Sequence, residues 1–402
     1  MDRRSFVRSM TGGAALAGGQ FLLPRSALAG LLPAGTLAGE ELATLPGKRP
    51  LIKRGFRPPN YETPVPEFGS VITPNDRFFV RWHLASIPEI DPREWRLSIG
   101  GDASATPLEL SLEDLKRGFE RAEVVAVCQC AGNRRGLSDP HVPGVQWAYG
   151  AMGNARWAGV RLRDVLAKAG IAGDALEVAF DGADQGALAQ TPDFVKSIPA
   201  WKAMDENTLI AFEMNGEPLP HWNGAPARIV VPGWTATYWM KKLVAVRALR
   251  KPLESFWMQK AYRIPKGKFP VVDRFASQEN TETLPVTDIV VNSLITSVTD
   301  GQHSRPGVPL ALSGIAWDGG YGIRSVDVST DGGRSWQAAE LGPDSGRYSF
   351  RPWSFGFTPA PGRYVVSARA TNGVGATQVD RLIFNGAGYH NNAIQRLALE
   401  VA

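Results

Sequence analysis

Glu123–Arg135 reads EVVAVCQCAGNRR, and the rest of the chain is organised around it. The apolar run Val124–Val127 has the composition and length of a buried strand, and a Gly-containing turn follows at once. The strand delivers Cys130 into that turn beside Arg134 and Arg135. Cationic neighbours stabilise a thiolate, the form that binds metals and attacks electrophiles; without them a cysteine in apolar surroundings stays protonated and inert. Cys130 alone fits either a buried structural thiol or a reactive one, and its context must decide. Cys128 lies two residues back, at strained geometry for a disulfide, and reads as structural. With two cysteines in the chain there is no C-x-x-C-H haem attachment and no four-cysteine set for zinc or iron–sulfur.

Working outward, 402 residues suffice for two or three full cores, and 44% hydrophobic with 21% charged residues excludes both disorder and a membrane bundle. The formal charge is +5, but Arg3, Arg4, Arg8 and Arg25 against Asp2 concentrate part of it before residue 30. The remainder holds 40 Lys+Arg and 38 Asp+Glu. So neutral a body does not suit nucleic acid, which needs a clustered basic surface. Residues 1–29 carry twin arginines, a short Gly-rich apolar stretch and Ala27-Leu28-Ala29 before Gly30, the pattern of a twin-arginine signal peptide. That pattern implies periplasmic export of a protein already folded around a cofactor, and the stretch is too short to make the protein integral to a membrane.

Residues 30–70, rich in Pro, Gly and charge, read as an extended arm with little regular structure. TPNDRFFVRWHL is an aromatic strand that puts Arg81 and His83 on one face. WRLSIGG is a strand, SLEDLKRGF a helix capped by Ser111 with Asp114 three residues on, GVRLRDVLAKAGI and KSIPAWKAM further helices, and TLIAFEMNGEPLP a hairpin turning on Asn215-Gly216. There is no βαβ period and no G-x-G-x-x-G, so residues 71–284 form an α+β domain and not a dinucleotide fold. From 285 to 402 the texture changes to roughly seven short strands with turn signals at Asp331-Gly332 and Asn372-Gly373, the pattern of an all-β immunoglobulin-like sandwich.

FFVRWH (78–83), CAGNRR (130–135), GAMGNARWAG (150–159), MNGEPLP (214–220), PARIVVPGW (226–234) and the DVSTDGGRSW hairpin, in this order over nearly all of residues 50–400, resemble the sulfite oxidase family of molybdenum enzymes. The resemblance implies the sulfite oxidase fold, an α+β molybdopterin-binding domain followed by a sandwich that dimerises. It implies that Cys130 ligates molybdenum, since soft thiolate suits a covalent redox-tuned site. Arg81, Arg135 and Tyr262 match the family's oxyanion pocket, where guanidinium forks suit sulfite. Phe79, Arg81, His83, Cys130, Asp184, Asn223, Arg228, Trp239 and Lys241 match its contacts to the molybdenum–molybdopterin (pyranopterin dithiolene) cofactor. Asn223 stands where animal enzymes have histidine, and Pro143 falls near an animal lysine. Outside this context Arg81 and Arg135 would read as ion-pair residues, Tyr262 as a core tyrosine and His83 as a packed side chain.

The implied reaction is sulfite oxidation to sulfate by a bacterial periplasmic sulfite dehydrogenase. The animal enzymes' haem domain has no counterpart pattern in this sequence, so electrons would pass to an external c-type cytochrome, with the chain a homodimer or paired with a cytochrome subunit. Three alternatives stay open: an exported molybdenum sulfoxide reductase, the molybdenum subunit of a thiosulfate-oxidising complex, and a non-enzymatic secreted binding protein. Arg305, Arg324, Arg334 and Arg347 are the sandwich arginines that could reach the pocket.

Overall fold

The computed structural model describes residues 41–266 and 282–402. The signal-like segment and the start of the arm lie outside the described residues.

From residue 41 the arm is more regular than its Pro/Gly content suggested. It forms strands Leu42–Ala43, Leu51–Gly55 and Asn60–Glu62, which pair in order with Val80–Arg81. Prolines keep each strand short, but Leu51, Tyr61, Val80 and Trp82 bury together and make pairing worthwhile.

The cysteine strand, Arg121–Gln129, pairs along its whole length with Met152–Arg161, which in turn pairs with Leu209–Met214. Asn215 and Gly216 both take positive φ, 56° and 82°, so the hairpin closes through the mirror-image turn that matches strand twist. A second sheet runs in the order Lys196–Pro199, Glu177–Gly182, Leu243–Leu249, Arg96–Gly100, Leu108–Ser111, with one parallel pair, Leu243–Leu249 beside Arg96–Gly100. Helix Leu112–Gly118 carries the expected capping box between Ser111 and Asp114, and Leu162–Lys168 is helical as expected. KSIPAWKAM differs from expectation: Lys196–Pro199 is a strand, and only Ala200–Ala203 is helical. Pairing with Glu177–Gly182 wins over helix propensity up to Pro199, which cannot donate to a further rung.

The C-terminal domain is a sandwich of a four-stranded and a five-stranded sheet, nine strands where about seven were expected. Its core includes Val326, Val328, Trp353, Val366 and Leu399. It does not stand apart from the first domain. Phe68, Val127 and Met152 bury against Leu294, Ile315, Trp317 and Phe350, at roughly 1.5–3 kcal/mol for each fully buried side chain. Trp317 Nε1 donates to Gln129 Oε1 at 2.6 Å, fixing the end of the cysteine strand to the sandwich. Among the described residues no helix is long and apolar enough to cross a membrane.

Candidate active site

Where the cysteine strand ends, a cleft brings together Phe79, Arg81, His83, Cys130, Asn223, Arg228, Lys241 and Tyr262, residues drawn from five separate stretches of chain. Cys130 is 7% exposed. Its N–H donates to Ala151 O at 2.9 Å and its carbonyl accepts from Asn133 N, so the turn holds its backbone rigidly. Cys128 also faces the cleft, two residues back on the same side of the strand. Burial pushes the Cys128 thiol up, with Arg228 and Lys241 opposing, and Arg228 Nη2 lies 3.8 Å from its sulfur. It is therefore part of the wall, a role its sequence context did not suggest.

On one side lie Arg81, His83 and Tyr262. His83 is hydrogen-bonded through Nε2 to the Tyr262 hydroxyl and stacks on Phe194 at 3.6 Å. Burial, followed by the charges of Arg81, Lys241 and Lys196, holds His83 well below the usual histidine range. Burial likewise pushes the Tyr262 phenol up, against Arg81 and Arg135. A neutral imidazole can accept and a protonated phenol can donate, so the bond runs from Tyr262 O–H to His83 Nε2. Tyr262 adopts φ 56°, a strained conformation for a non-glycine residue. Its surroundings impose it: the ring is stacked 5.7 Å from Tyr389, and its carbonyl accepts from Val286 N at 2.9 Å.

On the other side, Arg228 is 3% exposed and donates to Asn223 O (2.8 Å) and Trp239 O (3.1 Å), with its guanidinium over the Trp157 ring at 4.9 Å. Lys241 Nζ sits 4.4 Å over the Trp82 ring. Trp239 is not itself in the cleft wall; it is core, and its carbonyl positions Arg228. Asp184 is 5% exposed behind Lys241, and burial raises its carboxyl with Lys241 opposing. Two buried donors of cleft residues, Arg228 Nε and Thr237 Oγ1, have no protein partner. Unmade bonds of this kind cost roughly 1–3 kcal/mol each, so the cleft fits an anionic group such as the phosphate of a pyranopterin. Among the described residues no three His, Cys, Asp or Glu side chains converge as a ligand set, so a metal here would take Cys130 and complete its coordination from the cofactor.

Arg134 and Arg135 depart from the sequence expectation. Arg134, at φ 69°, turns away from the thiol: its Nη1 donates to Asn292 Oδ1 (2.5 Å) and Ala393 O (2.9 Å) of the sandwich. Arg135 does not line the cleft. Its Nε donates to Ala387 O at 2.8 Å and its guanidinium lies over the Tyr389 ring at 5.2 Å. Gly132 permits this approach, since a Cβ there would lie 2.5 Å from Arg135 Nη1. Arg135 thus supports the Tyr389–Tyr262 stack from behind. None of the four sandwich arginines reaches the cleft; all are exposed, and Arg347 binds Tyr348 OH. The sandwich contributes Tyr389 instead.

Sequence reasoning also missed Thr237, Trp222, Lys48 and Lys196. Thr237 falls between the quoted motif PARIVVPGW and the named residues Trp239 and Lys241, which was the available signal. Trp222 adjoins the named Asn223, and Lys48 and Lys196 are joined to the site only by packing with residues distant in sequence. Burial pulls Lys48 and Lys196 down to about 7, and Lys241 and Lys242 to about 8. Each lysine binds its proton less tightly folded than unfolded. Between about pH 7 and the ordinary lysine range near 10 the unfolded chain therefore holds more protons, and stability rises with pH. Cofactor-free protein is expected to melt several degrees higher at pH 9 than at pH 7 by scanning calorimetry. A flat or falling profile would contradict the burial of these amines.

The model of the oxidoreductase molybdopterin binding domain matches residues 83–257, and that of the Mo-co oxidoreductase dimerisation domain matches residues 284–401. The mitochondrial sulfite oxidase of Macaca fascicularis is 38% identical over 325 residues, covering 77% of this chain and 57% of that protein. The chain thus spans little more than half the length of that relative. The sulfite oxidase of Gallus gallus is 36% identical over 321 residues, covering 77% of this chain and 68% of that protein. Among solved structures, the sulfane dehydrogenase SoxCD of Paracoccus pantotrophus superposes with a TM-score of 0.74 at 27% identity, over 96% of this chain and 92% of that one.

Proposed function

The chain belongs to the sulfite oxidase family of molybdopterin-binding oxidoreductases, and from that premise we propose that it oxidises sulfite to sulfate at a molybdenum–molybdopterin centre held by Cys130. The observation that carries this reading is the convergence of Arg81, Tyr262 and His83 beside Cys130, opposite unpartnered Arg228 Nε and Thr237 Oγ1. When bound, the cofactor supplies the two-electron oxidation and oxygen transfer.

The chain's own residues supply the rest. Arg81 gives the sulfite dianion a charged hydrogen-bond donor within a low-dielectric pocket, where such a contact is worth roughly 1.5–3 kcal/mol. Tyr262, kept protonated, offers a second donor without adding charge. His83, kept neutral, accepts from that phenol and so orients it toward the substrate. Arg228, Thr237 and Lys241 hold the pterin and its phosphate, Asn223 holds Arg228 through its carbonyl, and Asp184 and Trp239 hold Lys241 and Arg228 in place.

Electrons leave to an external c-type cytochrome, and the C-terminal domain, of the dimerisation type, is the surface for a second copy or a cytochrome subunit. The twin-arginine pattern supports a periplasmic location. The likeness to SoxCD favours one other reading, a molybdenum subunit acting on sulfane sulfur within a thiosulfate-oxidising assembly. Purified protein carrying molybdenum should reduce cytochrome c with sulfite. Activity only with protein-bound sulfane sulfur would favour the second reading, and sulfoxide reduction from a donor dye would overturn both.

A further inference from the structure

The cofactor side of the cleft is clamped from outside the matched residues 83–257 by the arm. Lys48 is 6% exposed, and its ammonium donates to Asn75 O (2.5 Å), Phe78 O (3.1 Å) and Asn223 Oδ1 (2.7 Å). An ammonium has three N–H bonds, and all are used, so Lys48 has nothing left to offer a ligand directly. What it does is join two walls. Phe78 and Asn223 both line the cleft from stretches 145 residues apart in sequence. Two residues earlier, Pro46 O accepts from Trp222 Nε1 at 2.9 Å, and Trp222 is a third lining residue. Asn223 then passes the constraint on: its Nδ2 donates to Phe79 O at 3.4 Å, and its carbonyl accepts from Arg228 Nη1 at 2.8 Å.

We propose that the arm segment 46–48 is a strap that retains the cofactor, with Lys48 a positioning residue acting through Asn223 on Arg228. The proposal rests on the cofactor reading above. A fixed Asn223 leaves Arg228 one orientation, with Nε free for an anion, whereas a loosened one lets the guanidinium turn and release it.

The test is retention of molybdenum and pterin by purified holoprotein during dialysis, followed by metal analysis and pterin fluorescence, alongside thermal melting of the cofactor-free form. Lys48→Met should lose cofactor about tenfold faster, in line with loss of a buried charged hydrogen bond, with a fall in cofactor-free melting too small to account for that factor, because removal of a desolvated ammonium offsets the donors lost by Asn75 O and Phe78 O. Asn223→Leu should do the same, and the double variant should be no worse than either single one, because both act on one contact chain. Trp222→Phe keeps an aromatic ring at this position while removing the donor to Pro46, so it tests the strap even if Lys48→Met does not fold; it too should accelerate loss. An unchanged release rate in Lys48→Met or Trp222→Phe, multiplicative effects in the double variant, or a matching fall in cofactor-free stability would overturn the strap alone. Wild-type protein that holds no pterin would overturn the cofactor reading together with it.

Discussion

Cys130→Ser is expected to abolish sulfite-dependent turnover while the fold persists. The exchange is nearly isosteric, and the backbone bonds that hold the turn, Cys130 N to Ala151 O and Asn133 N to Cys130 O, do not involve sulfur. What is lost is a soft, polarisable thiolate in exchange for a hydroxyl that stays protonated at neutral pH. The loss should exceed by far the roughly 10- to 100-fold that removal of an outer supporting contact costs a metal site. Steady-state cytochrome c reduction, paired with circular dichroism melting, measures both halves of this expectation. Retained turnover would remove Cys130 from the metal.

Arg228→Met is expected to yield protein almost devoid of pterin. Methionine can fill the slot between the Trp157 and Trp239 rings, so packing is largely kept. Two carbonyls, Asn223 O and Trp239 O, lose their donor, at roughly 1–3 kcal/mol each if they remain buried. Removal of a fully desolvated guanidinium returns part of that cost. Stability should therefore fall moderately, while cofactor content falls to near zero because the unpartnered Nε disappears. Metal analysis and pterin fluorescence of the purified variant check this, and full occupancy would show that the anion binds elsewhere.

Local pattern carried much of the architecture. The run Val124–Val127 did form a strand, half-buried at Val124 and Val125 and buried from Ala126 to Gln129, that leads into Cys130; Asn215-Gly216 did turn a hairpin, and Ser111 with Asp114 did cap a helix, because each depends on neighbours a few residues away. KSIPAWKAM misled because a sheet edge overrode its helix propensity. At the site, adjacency in sequence was a poor guide to adjacency in space. Arg134 and Arg135 follow Cys130 closely, yet a positive φ and a tight turn send one to Asn292 and the other to Ala387 and Tyr389. The family motifs located many groups of the cleft itself, but not Cys128, Trp222 or Thr237, and they named Arg135, Asp184 and Trp239, which do not line it. Lys48, Lys196 and Tyr389 stayed invisible because nothing in their own surroundings distinguishes them; their importance comes from pairings with residues far away in the sequence.

The stack of Tyr389 on Tyr262 has a consequence for biosynthesis. A chain made from its N-terminus presents Cys130, Arg81 and Arg228 long before residue 389 exists, and domains generally fold as units as they emerge. Until the 387–391 segment arrives, Arg135 has no Ala387 carbonyl to bind and Tyr262 has no ring to hold it at φ 56°. The Tyr262 side of the pocket, proposed to hold the oxyanion, thus takes shape after the side proposed to hold the cofactor. A nascent chain could be loaded with its cofactor before it is able to seat a substrate.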